Sequence, residues 1–292
     1  MSELHRSHLA QLVIINGIWG FNIVAVKLSA DRFPPIFVTF LRFLIVALAV
    51  WPWLRIRRGQ MRWLLTAAIC SGGLQFALMY SGVALSESMS SVAIAGQLGV
   101  PFATLLSVLL LDERIHWRRW LGIGMAFAGV VTVGYSPGVL RSWSGFLLIV
   151  IAAFMGAVGL VAIKRVRELE PLELQAWLAW GSLPLLLPLS LLLEGGQVES
   201  LRSADAMGWT ALLYSAVMSS LVAHTAYFAL VRRYPVSSVA PVTVLTPLFS
   251  VLFSVLLLGD VMDVRMIVGG LLTLAGVTVI LAREQRGAAS RT

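Results

Sequence analysis

The sequence predicts an all-α membrane protein of ten transmembrane helices, arranged as two inverted five-helix repeats with the N- and C-termini cytoplasmic. Three observations carry this expectation. The 292 residues are 59% hydrophobic and 12% charged, against about 25% charged residues in an ordinary soluble domain. Ten apolar runs recur along the chain, each long enough to cross a hydrocarbon core of about 30 Å as a helix. The chain also matches itself at an offset of 147 residues.

The first run, 8–29, lacks a strongly basic start and a small-x-small cleavage site, so it reads as a spanning helix rather than a removable signal. It holds the stretch WGFNIVAVK and ends at Lys27. The second, 34–53, opens on Pro34 and closes on Trp51 and Trp53, interfacial anchors in type and place. Trp63 opens the third, 63–84. The fourth, 90–111, begins SSVA. Trp117 and Trp120 open the fifth, 117–135, and Trp143 the sixth, 143–163. The seventh is 172–193. The eighth, 208–231, carries Trp209 at its start, and 237–258 and 265–282 complete the set.

Basic residues fall in the short connections between these runs. With the N-terminus inside, sixteen Lys and Arg lie on the inner side, including Arg55, Arg57, Arg58, Arg114, Arg118, Arg165, Arg167 and Arg232. Five lie outside, Lys27, Arg32, Arg141, Arg202 and Arg265, and Arg42 lies within a helix. That asymmetry sets both termini in the cytoplasm. The formal charge of +8 is therefore the signature of a bilayer partner and not of nucleic acid.

At the offset of 147, SSVAIAGQLGVPFATLLSVLLLDE from Ser90 aligns with SSVAPVTVLTPLFSVLFSVLLLGD from Ser237, and 17 of the 42 positions from Ser90 to Val131 are identical. A smaller offset of 137 pairs Val24, Ala25 and Lys27 with Val161, Ala162 and Lys164. Residues 1–138 and 139–292 then form two repeats of five spans each. An odd number of spans inverts the second repeat relative to the first, the architecture of many secondary transporters. Two equivalent halves in opposite orientation give inward-open and outward-open states of similar energy.

Catalytic chemistry finds no foothold, and the chain is expected not to be an enzyme. Cys70 is the only cysteine. GIGMAFAG at 122–129 has the wrong spacing for a dinucleotide loop and lies in a span, where small residues serve close packing. No Walker sequence, metal-ligand cluster or cofactor motif is present. All fourteen carboxylates fall in loops or at span ends, which leaves no deep acid as a proton relay.

What remains at membrane depth is chiefly neutral and polar. Trp19 and Asn22 are three residues apart, as are His224 and Tyr227, and Gln75 and Met79 are four apart, so each pair shares a helix face. With Tyr80 and Gln97 these form the candidate substrate-binding set, and Asn16, Thr243 and Thr246 add to the deep polar residues. Each amide could instead bond across a helix interface. Their concentration in spans 1, 3, 4, 8 and 9 favours a shared cavity. Arg42, about 12 Å into span 2, is open to three roles: binding backbone carbonyls, snorkelling outward, or meeting a substrate carboxylate. Pro101 and Pro247 sit in equivalent helices and suit either bending elements or plain kinks.

WGFNIVAVK, PPIFVTFLRF at 34–43 and VAIAGQLGVPFATLLSVLLLDERI at 92–115, followed by a Gly-rich span, resemble the EamA-type exporters of the drug/metabolite transporter superfamily, most closely the aromatic amino acid exporters. The resemblance implies ten helices in two inverted repeats, a cavity lined by spans 1, 3, 4, 6, 8 and 9, and efflux of small metabolites, often amino acids, across a cell membrane such as the bacterial inner membrane. The second repeat departs from the pattern, with Gly259 and Asp260 where the first has Asp112 and Glu113. The expected substrate is an amino acid with a large apolar or aromatic side chain. Sugar phosphates, drugs and a channel-like role are the competing readings, and facilitated flux is favoured over proton coupling through His224.

Overall fold

The computed structural model describes residues 6–111, 115–166, 168–234 and 239–289. Glu3, Asp112, Glu113, Arg114, Arg167, Ser237 and Ser238 lie outside the described residues. The described residues form helices joined by short connections, without a strand among them.

Among the described residues ten helices lie along the apolar runs, and two short ones, Pro137–Arg141 and Gln197–Ser203, lie in the connections. The ten are α1 (Arg6–Ala30), α2 (Pro35–Val50), α3 (Met61–Leu85), α4 (Met89–Leu111), α5 (Trp117–Gly134), α6 (Trp143–Lys164) and α7 (Pro171–Leu193). The last three are α8, running from Ala206–Leu213 through Tyr214–Ala223 to His224–Arg233, then α9 (Leu245–Leu258) and α10 (Val264–Ala289). Eight of them are long and apolar enough to cross a membrane, and Val242–Leu258 is apolar but shorter. α5 is the remaining helix. Its first turn carries Arg118 and Arg119, which shortens its apolar stretch. Large side chains such as Leu109, Leu192, Leu256 and Leu271 stand exposed on the outside. Such a coat is costly in water and natural in lipid.

Four helices are interrupted. α3 widens into a π-helix over Ala68–Leu74, and α8 does so over Tyr214–Ala223, positions that correspond under the offset of 147. α4 breaks between its pieces Met89–Gly96 and Gly99–Leu111, and α9 is preceded by a 3-10 turn at Ala240–Val244. Pro101 and Pro247 sit in the first turn after each break. There a missing N–H costs little, because first-turn amides have no partner within the helix. The prolines therefore mark restarts of the helix rather than kinks in its middle.

α1 lies against α8 and α9, while α6 lies against α3 and α4. α5 packs tightly against α10. A Cβ on Gly122 would stand 2.8 Å from the Gly276 carbonyl oxygen, and one on Gly129 would stand 2.5 Å from that of Gly269. As one residue number rises, its partner's falls, so the two helices run antiparallel. Small residues allow this contact between backbones.

Connections are tied down by carboxylates. Glu194 accepts from the Ile36 and Phe37 amides at 2.7 and 3.0 Å, capping α2. Asp260 Oδ2 accepts from the Ser90 amide at 2.5 Å and the Ser88 hydroxyl at 3.3 Å. The loop after α9 thus caps the start of α4, a structural use for an acid that departs from the repeat pattern. Gly259 ends α9 at φ +71°, the left-handed position that favours glycine. At the Arg32 and Asp205 ion pair, the guanidinium holds the carboxyl below its ordinary range, helped by the Gly208 amide.

Candidate substrate cavity

A cavity of about 380 Å³ lies among α1, α2, α3, α4, α6, α8 and α9, within the size range of small-molecule sites. Six of the eight candidate residues line it: Trp19, Asn22, Gln75, Met79, Gln97 and His224. Tyr80 and Tyr227 do not. Tyr80 is fully buried behind the wall, and Tyr227 packs against the Trp19 ring at 5.2 Å between centroids.

Helical spacing explains the first wall. Trp19, Asn22, Ile23 and Val26 recur every three to four residues along α1 and face one direction. Trp19 Nε1 donates to the Ser219 carbonyl at 3.3 Å, and its ring lies 4.9 Å from that of His224. The same carbonyl pairs with His224 Nδ1 at 2.7 Å. A carbonyl can only accept, so Nδ1 carries the proton, which a neutral ring provides. The geometry depends on the π-helix: His224 reaches back five residues, and Ser220 Oγ likewise donates to Ser215 O at 3.1 Å. π-segments often mark functional sites for this reason.

The amides behave differently from one another. Asn16 is consumed by structure, donating to Leu12 O at 2.7 Å and accepting from Thr246 Oγ1 at 2.5 Å. Asn22 Oδ1 is buried without a hydrogen-bond partner among the described residues. Gln75 lies beside Gly156, whose added Cβ would approach Gln75 Oε1 to 2.6 Å. Gln97 sits at the break in α4, where helix regularity is already lost.

Arg42 enters from α2, which the resemblance did not place in the cavity wall. It is 1% exposed. Its Nε and Nη2 donate to Ser220 Oγ at 3.2 and 2.9 Å, and Nη1 donates to the Tyr80 hydroxyl at 3.1 Å. Its Cζ stands 4.7 Å from the Phe76 ring centroid, a cation–π contact. Much of the remaining wall is apolar, with Met79, Val83, Val92 and Ile149 around Ala152 and Ala153. Ser219 and Ser250 also line the cavity and were not singled out from the sequence. Nothing in their spacing separates them from the many small residues that pack helices.

Loss of a cavity amide should cost function rather than folding. Asn22→Ala and Gln75→Ala are expected to reduce transport by about tenfold, the worth of one hydrogen bond to a charged ligand group. Their thermal midpoints should stay close to wild type, because neither side chain gives up a hydrogen bond to a described residue. Wild-type flux from both variants in proteoliposomes would remove these amides from the site.

Comparison with known proteins gives the family and the fold. The EamA-like transporter family matches residues 9–135 and 143–282. The chain is 28% identical over 279 residues to a probable amino-acid metabolite efflux pump of Salmonella typhimurium, covering 93% of each chain. It is 25% identical to a protein of the same description from Escherichia coli, again covering 93% of each. A probable terminal-alkyne amino-acid exporter of Streptantibioticus cattleyicolor is 24% identical, over 93% of this chain and 92% of its own. A crystal structure 19% identical in sequence superposes with a TM-score of 0.63 over 96% of this chain and 99% of its own, which shows a shared fold. With the family match extending over nearly the whole length, and with apolar helices enclosing a central cavity, this multi-pass membrane transporter belongs to the EamA-like transporter family.

Proposed function

We propose that the chain exports amino acids with large apolar or aromatic side chains, by alternating access of two inverted five-helix repeats about the central cavity. The observation that carries this reading is the cavity's division of labour: Asn22, Gln75, Gln97 and Arg42 offer polar contacts, and Met79, Val83, Val92 and Ile149 an apolar surface. A ligand with one polar and one apolar end fits such a wall. The names of the relatives from Salmonella typhimurium and Streptantibioticus cattleyicolor point the same way.

The α5–α10 contact supports the inverted repeat. Under the offset of 147, Gly122 corresponds to Gly269 and Gly129 to Gly276, so the pair Gly122–Gly276 maps onto the pair Gly269–Gly129. Exchanging the halves leaves the interface unchanged, as a two-fold axis in the membrane plane requires. A phosphate-bearing substrate fits less well. Arg42 is the one Lys or Arg among the described residues that line the cavity, and a phosphate ester carries up to two charges.

The test is counterflow of labelled amino acids by the purified chain in proteoliposomes, with and without an imposed pH gradient. Phenylalanine, tryptophan, leucine and methionine are expected to exchange, and flux to equilibrate at every gradient. Counterflow restricted to sugar phosphates or strongly cationic compounds would overturn the substrate class, and gradient-driven accumulation would overturn facilitated transport.

A further inference from the structure

We propose that Arg42 and Asn22 form the head-group site of the cavity, with Arg42 binding the substrate carboxylate and Asn22 Oδ1 accepting from its ammonium. The proposal rests on the amino-acid reading above and deepens it, because it makes the zwitterion itself the recognised feature.

Arg42 is a buried cation whose neighbours are neutral. Among the described residues no carboxylate pairs with it, and its partners are two hydroxyls and the rings of Phe76 and Tyr80. Removing a guanidinium from water is costly, and hydroxyl partners offset that cost only in part. The donors are also incompletely used. Guanidinium has five N–H groups. Nε–H, one proton of Nη1 and one of Nη2 are committed to Ser220 and Tyr80, which leaves one on each terminal nitrogen. A carboxylate has two oxygens to accept from them.

The group is held firmly for that task. Ser220 Oγ spends its own proton on Ser215 O, so it can only accept from Arg42. Gln175 Nε2 fixes the Ser220 carbonyl at 2.8 Å, and the Phe76 ring covers one face of the guanidinium. Asn22 supplies the opposite polarity. Asn22 lines the same cavity, its Oδ1 is a buried acceptor without a partner among the described residues, and an ammonium is a donor in need of one. An amine alone would leave Arg42 uncompensated, and an acid alone would leave Asn22 Oδ1 unpaired. Only a ligand with both groups satisfies the pair.

The experiment takes the amino acid giving the strongest counterflow and competes it with its decarboxylated amine and its deaminated acid. For phenylalanine these are phenethylamine and 3-phenylpropionate. Wild type is expected to prefer the amino acid over each by about 10- to 100-fold, the range for hydrogen bonds to charged groups. In Arg42→Gln the preference over the amine should collapse while the preference over the acid persists, and Asn22→Ala should show the reverse. Arg42→Lys, which keeps the charge and loses the fork, should retain part of the discrimination. If Arg42→Gln does not fold, the wild-type panel still decides, since an amine that competes as well as the amino acid overturns the proposal. Discrimination undiminished in a folded Arg42→Gln overturns the assignment of Arg42 alone. Absence of any amino-acid counterflow in wild type overturns the functional reading together with this one.

Discussion

Gly129→Val is expected to leave no monodisperse protein after detergent extraction. A Cβ at this position would lie 2.3 Å from Thr273 Oγ1, 2.5 Å from Gly269 O and 2.6 Å from the Thr273 amide nitrogen. Two of those atoms belong to backbone, which cannot turn aside as a side chain can. Nor can α10 tilt away locally, because a Cβ on Gly276 would already stand 2.5 Å from Gly122 O, two turns along the same interface. The helices must separate along their length. Overpacking by a methylene or two costs about 1–3 kcal/mol where side chains can adjust, and a clash between backbones exceeds that range. Gly124→Val is the control: nothing lies within 4 Å of its added Cβ, so its thermal midpoint should match wild type. Equal midpoints and equal monodisperse fractions for the two variants would contradict the close α5–α10 contact.

That contact was half legible in the sequence. The GIGMAFAG stretch reads as close packing from composition, and the offset of 147 brings Gly122 and Gly129 into register with Gly269 and Gly276. Which helix would receive them was not legible, because a small residue advertises proximity without naming its neighbour. The site divides in a similar way. Trp19 and Asn22 share a face through their spacing of three, and Gln75 and Met79 through their spacing of four, and all four line the cavity. Tyr80 follows Met79 by one residue, about 100° round the helix, which turns it behind the wall toward Arg42. Tyr227 has the right spacing from His224, but the Trp19 ring lies between the two side chains.

What the sequence hid depends on backbone geometry and on apolar surface. No residue pattern announces a π-helix, so neither the Ser219 carbonyl nor the placement of Ser220 beneath Arg42 could be anticipated. Ile149, Ala152 and Ala153 complete the wall from α6, yet in a chain this apolar they resemble any lipid-facing residues. The deep polar residues thus marked the cavity, while the apolar side chains that complete its wall stayed indistinguishable from the background.

Arg57→Ala is expected to destabilise the folded state by about 3 kcal/mol, the low end of the range for breaking a buried ion pair. Arg57 meets Glu173 through two bonds, Nε at 2.6 Å and Nη2 at 2.7 Å, and the forked geometry makes the pair stronger than a point contact. The partners differ in exposure: the Glu173 side chain is 2% exposed and that of Arg57 is 22%. Removing the arginine strands a carboxylate away from water. Glu173→Gln should therefore cost less, because the freed guanidinium still reaches solvent, and adding Glu173→Gln to Arg57→Ala should restore most of the loss. Thermal midpoints of the three variants in detergent decide the matter, and an Arg57→Ala protein as stable as wild type would refute the argument. The pair does not act alone. Trp177 Nε1 donates to Arg55 O at 2.9 Å and Trp180 Nε1 to Ala47 O at 3.0 Å, so three ties bind the end of α2 and the loop beyond it to α7. α2 is also the helix that carries Arg42, so these ties fix the mount of the one buried guanidinium on the cavity wall.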